Sequence, residues 1–349
     1  MMQRLMTLVV LAACAAVAAP AQAQVYPERI PSLARERDRS RSAWSQRNER
    51  EEQTDRITKT IKVGANGQID LANIAGDISV IRGSGTDATI EVVKTARGRT
   101  TDDAREALQL VQVDIVERGG RVEVRTRYPD EADLRARNRR NINVSVAYTV
   151  SAPAGTRISA NSISGNIRVK DIQGDLALES ISGTIQISNS GRVATAKSIS
   201  GNVEITGTEV EGGLEASTVS GTVAVRKVKA RRLDLGSVSG PVLIEEVNCD
   251  RVNGHSVSGD IRFLGTLSPG GRYEMRSHSG EIRLGLSGDT GFELTANTFS
   301  GSVSAPDFRI TIQGTAGGFR QRGLRGVYGD GSAVLDLTTF SGSIALVKR

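Results

Sequence analysis

The sequence predicts an all-β chain: a parallel β-solenoid (β-helix) of about 20-residue rungs behind an N-terminal β-rich cap. Three observations predict it. First, one short phrase returns down the chain, as "NSISGNIRV" at 161–169, "ESISGTIQI" at 179–187, "KSISGNVEI" at 197–205 and "HSVSGDIRF" at 255–263. Second, its glycine recurs as Gly165, Gly183, Gly201, Gly221, Gly240, Gly259, Gly280, Gly301 and Gly342, at spacings of 18, 18, 20, 19, 19, 21, 21 and 41 residues. A near-constant period of this length marks stacked structural repeats, and the last spacing is close to two periods. Third, aromatic residues make up 3% of the 349 residues while 38 are glycine, which suits a core of small aliphatic ladders.

The elements follow in chain order. Residues 1–23 read as a secretory leader: Arg4, an apolar run from Leu5 to Ala19, and a small-x-small site at Ala21-Gln22-Ala23. The apolar run is too short for a comfortable membrane span, and no later run is long enough for a transmembrane helix. "LAAC" at 11–14 offers a competing lipoprotein box ending at Cys14. Removal of the leader would leave Cys249 alone, and "IEEVNCDRV" places no histidine beside it, so Cys249 reads as a small buried residue.

Residues 24–56 alternate arginines with acids and are nearly free of aliphatic residues, so a charged flexible linker carrying Trp44 is expected. Residues 57–160 are expected to form the cap. "ITKTIKV", "ATIEVVKT", "RVEVRTRY" and "NINVSVAYTV" alternate apolar and polar at period two. A helix is expected at 101–111 with Thr101 as its N-cap. "NIAGDISV" at 73–80 echoes the later phrase, so the stack could begin here.

The solenoid proper is expected over 161–349. Apolar residues stand two and four places after each glycine, as in Ile185 and Ile187. That pattern predicts a strand with one face inward. A preceding strand contributes Ile158, Leu176, Ala194, Leu214, Leu233, Val252, Tyr273, Leu294 and Leu335. The residue after the first Ser/Thr (Ile163, Ile181, Ile199, Val219, Val238, Val257, His278, Phe299, Phe340) is expected inward too. The phrase between the strands reads as a corner, its glycine needed for a positive φ or a close backbone approach.

Nine equivalent second serines (Ser164, Ser182, Ser200, Ser220, Ser239, Ser258, Ser279, Ser300, Ser341) and two histidines cannot be nine catalytic triads. They are expected to satisfy one another or the local backbone. His255 is expected to be exposed and His278 to be a rung residue. No zinc spacing, calcium repeat, P-loop or dinucleotide fingerprint occurs, so no cofactor or metal is expected. Asp260 and Glu281 would lie side by side on an outer face, the arrangement a polysaccharide-cleaving enzyme uses. Arg262 and Arg283, two residues on, favour a solvated ion-pair patch instead.

The formal net charge is +6, and basic residues cluster at 135–140, in "RKVKARR" at 226–232, and at Arg320, Arg322 and Arg325. The last group is the candidate ligand site. The expected partner is an anionic glycan or another envelope component. The few aromatics argue against nucleic acid. The "GTAGGFRQRGLRGVYGDG" stretch around those arginines reads as a degenerate rung or a loop. End-to-end self-association of the stack is a further expectation.

The [ST]-x-S-G-x-[IV]-x-[VIL] phrase resembles the bacterial β-strand-repeat adhesin family, a domain family of unknown function. The resemblance covers about 57–349. It implies the solenoid architecture and a non-enzymatic adhesin-like binding or scaffold role in the cell envelope, exported to the periplasm, outer membrane or surface. The alternatives are a carbohydrate-active β-helix enzyme and a periplasmic assembly or sensing partner. The resemblance supplies no catalytic residues.

Overall fold

The computed structural model describes residues 51–130, 132, 134, 142–312 and 323–349. The leader, Cys14, Trp44, Arg135–Arg140, Arg320 and Arg322 lie outside the described residues.

The N-terminal part holds β1 (Glu51–Lys62), β2 (Gln68–Ala75), β3 (Ile78–Arg82), β4 (Asp87–Gly98), α1 (Thr101–Leu110), β5 (Gln112–Arg118), β6 (Arg121–Arg127) and β7 (Val144–Ala152). Strand pairs then alternate: β8 (Arg157–Ser164) with β9 (Ile167–Lys170), β10 (Leu176–Ser180) with β11 (Ile185–Ser188), and β12 (Val193–Ser198) with β13 (Val203–Thr206). They continue as β14 (Glu209–Thr218) with β15 (Val223–Arg226), β16 (Lys229–Ser237) with β17 (Val242–Glu245), and β18 (Asn248–Ser256) with β19 (Ile261–Thr266). The last elements are β20 (Arg272–Ser277), β21 (Ile282–Ser287), β22 (Phe292–Ser300), β23 (Val303–Ser304), β24 (Thr311–Ile312), β25 (Gly323–Tyr328), β26 (Ala333–Ser341) and β27 (Ile344–Lys348).

These strands form two long sheets, of 13 and 14 strands among the described residues. Each rung gives its first strand to the 14-stranded sheet and its second to the 13-stranded one, and successive rungs pair in parallel. Inward side chains from both sheets make the core: Leu176 and Leu178 with Ile185 and Ile187, repeated rung after rung at 0–2% exposure until the outermost rung, where Val303 is 8% exposed. Each fully buried aliphatic side chain contributes roughly 1.5–3 kcal/mol, so a core of small residues suffices when the ladder is long.

Several expectations need correction. The first strand begins at Glu51, so residues 51–56, expected to end the linker, pair with β4 along their whole length. The helix is capped by Thr100 rather than Thr101; the Thr100 hydroxyl accepts from the Asp103 amide at 3.1 Å. The stack starts before residue 161: β2 and β3 form a full rung on β8 and β9, as the echo "NIAGDISV" suggested. At β12, Val193 rather than Ala194 points inward, because the register with β10 shifts by one residue there.

The rungs do not stack in sequence order. The final pair, β26 and β27, inserts between β20–β21 and β22–β23. The long glycine spacing is therefore an excursion. The chain builds the outermost rung first, turns through β24 and β25, and comes back to fill the slot left below it. Antiparallel β25 lies along β22 and covers the edge that rung would otherwise leave open.

Two corners turn each rung. At the first, the motif glycine is needed for close approach: a Cβ on Gly201 would overlap the Gly183 carbonyl oxygen, and one on Gly183 would overlap that of Gly165. At the second corner the backbone itself is left-handed, at Asp171 (φ 59°), Asn189 (49°), Gly207 (64°), Lys227 (53°) and Glu246 (52°). These positions share no residue type, so no motif announced them.

Candidate functional surface: an apolar ridge along the first corner

The corner phrase sorts its residues by which way they point. The first Ser/Thr of each copy is buried; from Ser198 onward each is hydrogen-bonded, while the Ser162 and Ser180 hydroxyls are buried without a partner among the described residues. Ser198 Oγ donates to Gly183 O at 3.0 Å, Thr218 Oγ1 to Gly201 O at 2.8 Å, and Ser237 Oγ to Gly221 O at 3.0 Å. In return the glycine amide of the same rung donates to that hydroxyl, as from Gly240 to Ser237 at 2.9 Å. Asn73 fills this column in the first rung, its Nδ2 donating to Gly76 O at 2.8 Å and Val146 O at 2.7 Å. The second serines, expected to make such bonds, are all exposed.

Between the buried hydroxyl and the exposed serine stands the residue expected inward. It points out. In spatial order the column runs Ile74, Ile163, Ile181, Ile199, Val219, Val238, Val257, His278, Phe340 and Phe299, and its apolar members are 38–63% exposed. The inward alternation persists through Ser180; Ile181 and Ser182 then both point out, and the chain turns inward again at Gly183. The clue in the sequence was His278, since a polar ring in a buried aliphatic ladder would need hydrogen-bond partners there.

At the far end the rings form a stack. Phe299 and Phe340 have centroids 4.7 Å apart with planes 4° from parallel, and His278 stacks under Phe340 at 4.9 Å and 7°. A groove of about 590 Å³ lies beside these rings, with His255, Arg276 and Asn297 on its walls. A second, of about 510 Å³, runs beside Ile74, Ile163, Ile181 and Ile199. Both follow the ridge on its 14-stranded-sheet side.

The other expected sites are not brought together. Arg325 is exposed on β25, opposite Thr295. Asp260 and Glu281 are neighbours, but Asp260 Oδ1 accepts from the Glu281 amide at 2.8 Å and Glu281 pairs with Arg283 at 2.8 Å. In 226–232, Arg226, Lys229 and Arg232 pair with Glu245, Glu209 and Asp234. Cys249 is buried; burial pushes its thiol up to about 11, against a backbone hydrogen bond from Ala230 and with help from the Asp250 charge. Such a thiol is protonated and a poor nucleophile at neutral pH. Among the described residues no group of three or more His, Cys, Asp or Glu could hold a metal ion, and no helix is long and apolar enough to cross a membrane.

Parallel rungs, a serine–glycine corner and two long facing sheets define a β-solenoid-like repeat domain. The chain belongs to the Toastrack DUF4097 family, whose sequence profile matches residues 80–347. Among solved structures it is similar to a "putative adhesin" from Bacteroides fragilis, at 15% identity over 84% of this chain and 97% of that one, with a TM-score of 0.43. It is likewise similar to a "putative lipid binding protein" from Parabacteroides distasonis (13%, 84% and 97%, TM-score 0.44). A "putative adhesin" from the same species aligns at 13% identity, 84% and 97% coverage and a TM-score of 0.40. No curated protein matches the chain.

Proposed function

We propose that this chain is an exported, non-enzymatic binding or scaffold protein of the bacterial cell envelope that acts through surface contact. The observation that carries the reading is the ridge. Soluble monomers rarely expose a contiguous apolar patch larger than a few hundred Å², and those that do use it for binding. Here one large apolar side chain is exposed in nearly every rung, above a buried Ser/Thr column that from Ser198 onward is hydrogen-bonded to the corner backbone. The N-terminal leader pattern supports export. The carboxylate pair that the enzyme alternative requires is engaged by a backbone amide and an arginine.

The experiment is cosedimentation of the purified protein with whole cells and isolated envelope, with soluble sugar measured in the supernatant. Binding without release of reducing ends is the expected result. Release that is lost in Asp260→Asn/Glu281→Gln would replace this reading with a polysaccharide-cleaving enzyme.

A further inference from the structure

We infer that the ridge is a self-association surface, on which two copies of this chain pack antiparallel about a two-fold axis. The inference rests on the ridge being a contact surface and names its partner.

Shape selects the partner. Ten rungs stacked about 4.8 Å apart make a ridge about 43 Å long. A compact ligand would engage only a few rungs. A second copy presents the same step along the same length, so side chains of one ridge can seat between those of the other, as in the dry interfaces of stacked β-strands. A surface meeting its own copy about a two-fold axis also closes, and gives a dimer rather than a fibre.

Area agrees. Ten half-exposed Ile, Val, Phe and His side chains offer on the order of 800 Å² per copy, the amount each partner buries in a standard-size stable interface.

Charge agrees too. One flank of the ridge is the exposed serine column, small and uncharged over nine rungs. On the other flank exposed Glu179 stands beside Lys197, which pairs with Glu215 at 2.8 Å, and Arg276 pairs with Glu274, so this flank carries both signs of charge. Two such surfaces meet without like-charge repulsion. An anionic lipid surface would favour a collar of free cations along the apolar strip, as amphipathic membrane binders carry.

Full overlap of the two ridges places Val219 and Val238 beside the axis and brings the Ile74 end of one copy to the Phe299 end of the other. This makes the test specific. The full chain carrying Cys14→Ser is studied by sedimentation velocity across a range of concentrations, alone and with Val219→Lys/Val238→Lys. A reversible dimer is expected, at least about tenfold weaker in the double-lysine variant, because four charges would be buried at its centre. Under mild oxidation Val238→Cys should give a disulfide-linked dimer and Ile74→Cys should not, since the two Ile74 positions lie at opposite ends. This arm holds even if the lysine variant fails to fold. A chain that stays monomeric, an oligomer unmoved by the lysines, or equal cross-linking at both cysteines overturns the inference. A monomer that still cosediments with envelope would overturn self-association and leave the contact reading standing. A dimer that ignores envelope would do the reverse.

Discussion

Ser198 joins two rungs through one hydroxyl: its Oγ donates to the Gly183 carbonyl at 3.0 Å and accepts from the Gly201 amide at 3.0 Å. Both glycines sit at a corner where the sheet ladders are interrupted, so this hydroxyl satisfies backbone groups the ladders do not reach. Ser198→Ala removes both bonds in a buried place and should cost about 1–3 kcal/mol. Ser200→Ala, two residues on and exposed, should fall within about 0.5 kcal/mol of wild type. Urea unfolding of the two variants checks the difference. Equal midpoints would show that the buried hydroxyl does not hold the corner.

The glycine beside it is fixed by space. Its φ is not in the left-handed region, yet a Cβ there would overlap the Gly183 carbonyl oxygen of the rung below. Gly201→Ala forces those two rungs apart and should destabilise by at least about 2 kcal/mol. Asn202 follows, and its Oδ1 accepts from the Thr222 amide at 3.0 Å on an exposed face. Asn202→Ala should cost about 1 kcal/mol or less. Thermal unfolding in which the Asn202 variant is the less stable would contradict the close-approach account.

Much of this architecture could be read from the sequence because the phrase repeats. The apolar places two and four after each glycine recur in every copy, and a period-two pattern has one reading once its glycine is aligned. The direction of Ile181 and its equivalents is not legible, because an aliphatic residue beside a corner fits an inward place as well as an outward one. The sequence leaves open where between Ser180 and Gly183 the parity changes; the structure places both Ile181 and Ser182 outside. The insertion of β26 between β20 and β22 left one trace, a spacing of 41 residues, which length alone cannot tell from a loop. The second corner left no repeating residue, since Lys227 and Glu246 take the left-handed conformation where glycine, asparagine or aspartate is the usual choice. The candidate arginines were chosen by charge. Charge says nothing of position, and the ridge that the structure offers is uncharged.

The insertion predicts how truncation behaves. A chain ending at Gly331 lacks β26 and β27, the rung that separates β20–β21 from β22–β23. Were the chain stacked in order, this deletion would strip only one edge. As built, it opens the slot under the outermost rung and exposes Leu294 and Ala296, buried at 0% in the intact chain. Hydrogen exchange should show protection lost over 292–300 and 323–328 and kept in β8–β17. Unchanged protection over 292–300 would mean that rung does not depend on the C-terminal insert.

At the stack's first corner, Asp77 accepts from the Asn166 amide at 2.9 Å and pairs with Arg168 at 2.7 Å. Partial burial pushes its carboxyl up, but the hydrogen bonds from Arg168 and Asn166 and the Arg168 charge outweigh it and hold the group below the ordinary aspartate range. A folded pKa below the unfolded one adds stability above the unfolded pKa, and that stability is lost as pH falls through the folded value. Wild type should therefore lose stability below about pH 4 more steeply than Asp77→Asn, which keeps an oxygen for the Asn166 amide but has no charge to lose. Parallel stability–pH curves for the two proteins would remove Asp77 from the acid response.

The candidate arginines give the envelope reading a test of its own. Arg325 is exposed on β25, which covers the outermost rung, and Arg320 and Arg322 precede it in the chain. If an anionic envelope component is bound there, its affinity comes from exposed charges, whose reach is about 8 Å at physiological ionic strength. Neutralising Arg320, Arg322 and Arg325 together to glutamine should weaken cosedimentation with envelope and flatten its dependence on salt. Thermal stability should hardly move, because the one described side chain of the three has no place in the core. Self-association through the ridge should be untouched if the anionic contact and the ridge are separate sites, which sedimentation velocity of the same variant checks. Binding that keeps its full salt dependence without the three charges would locate the anionic contact elsewhere on the stack.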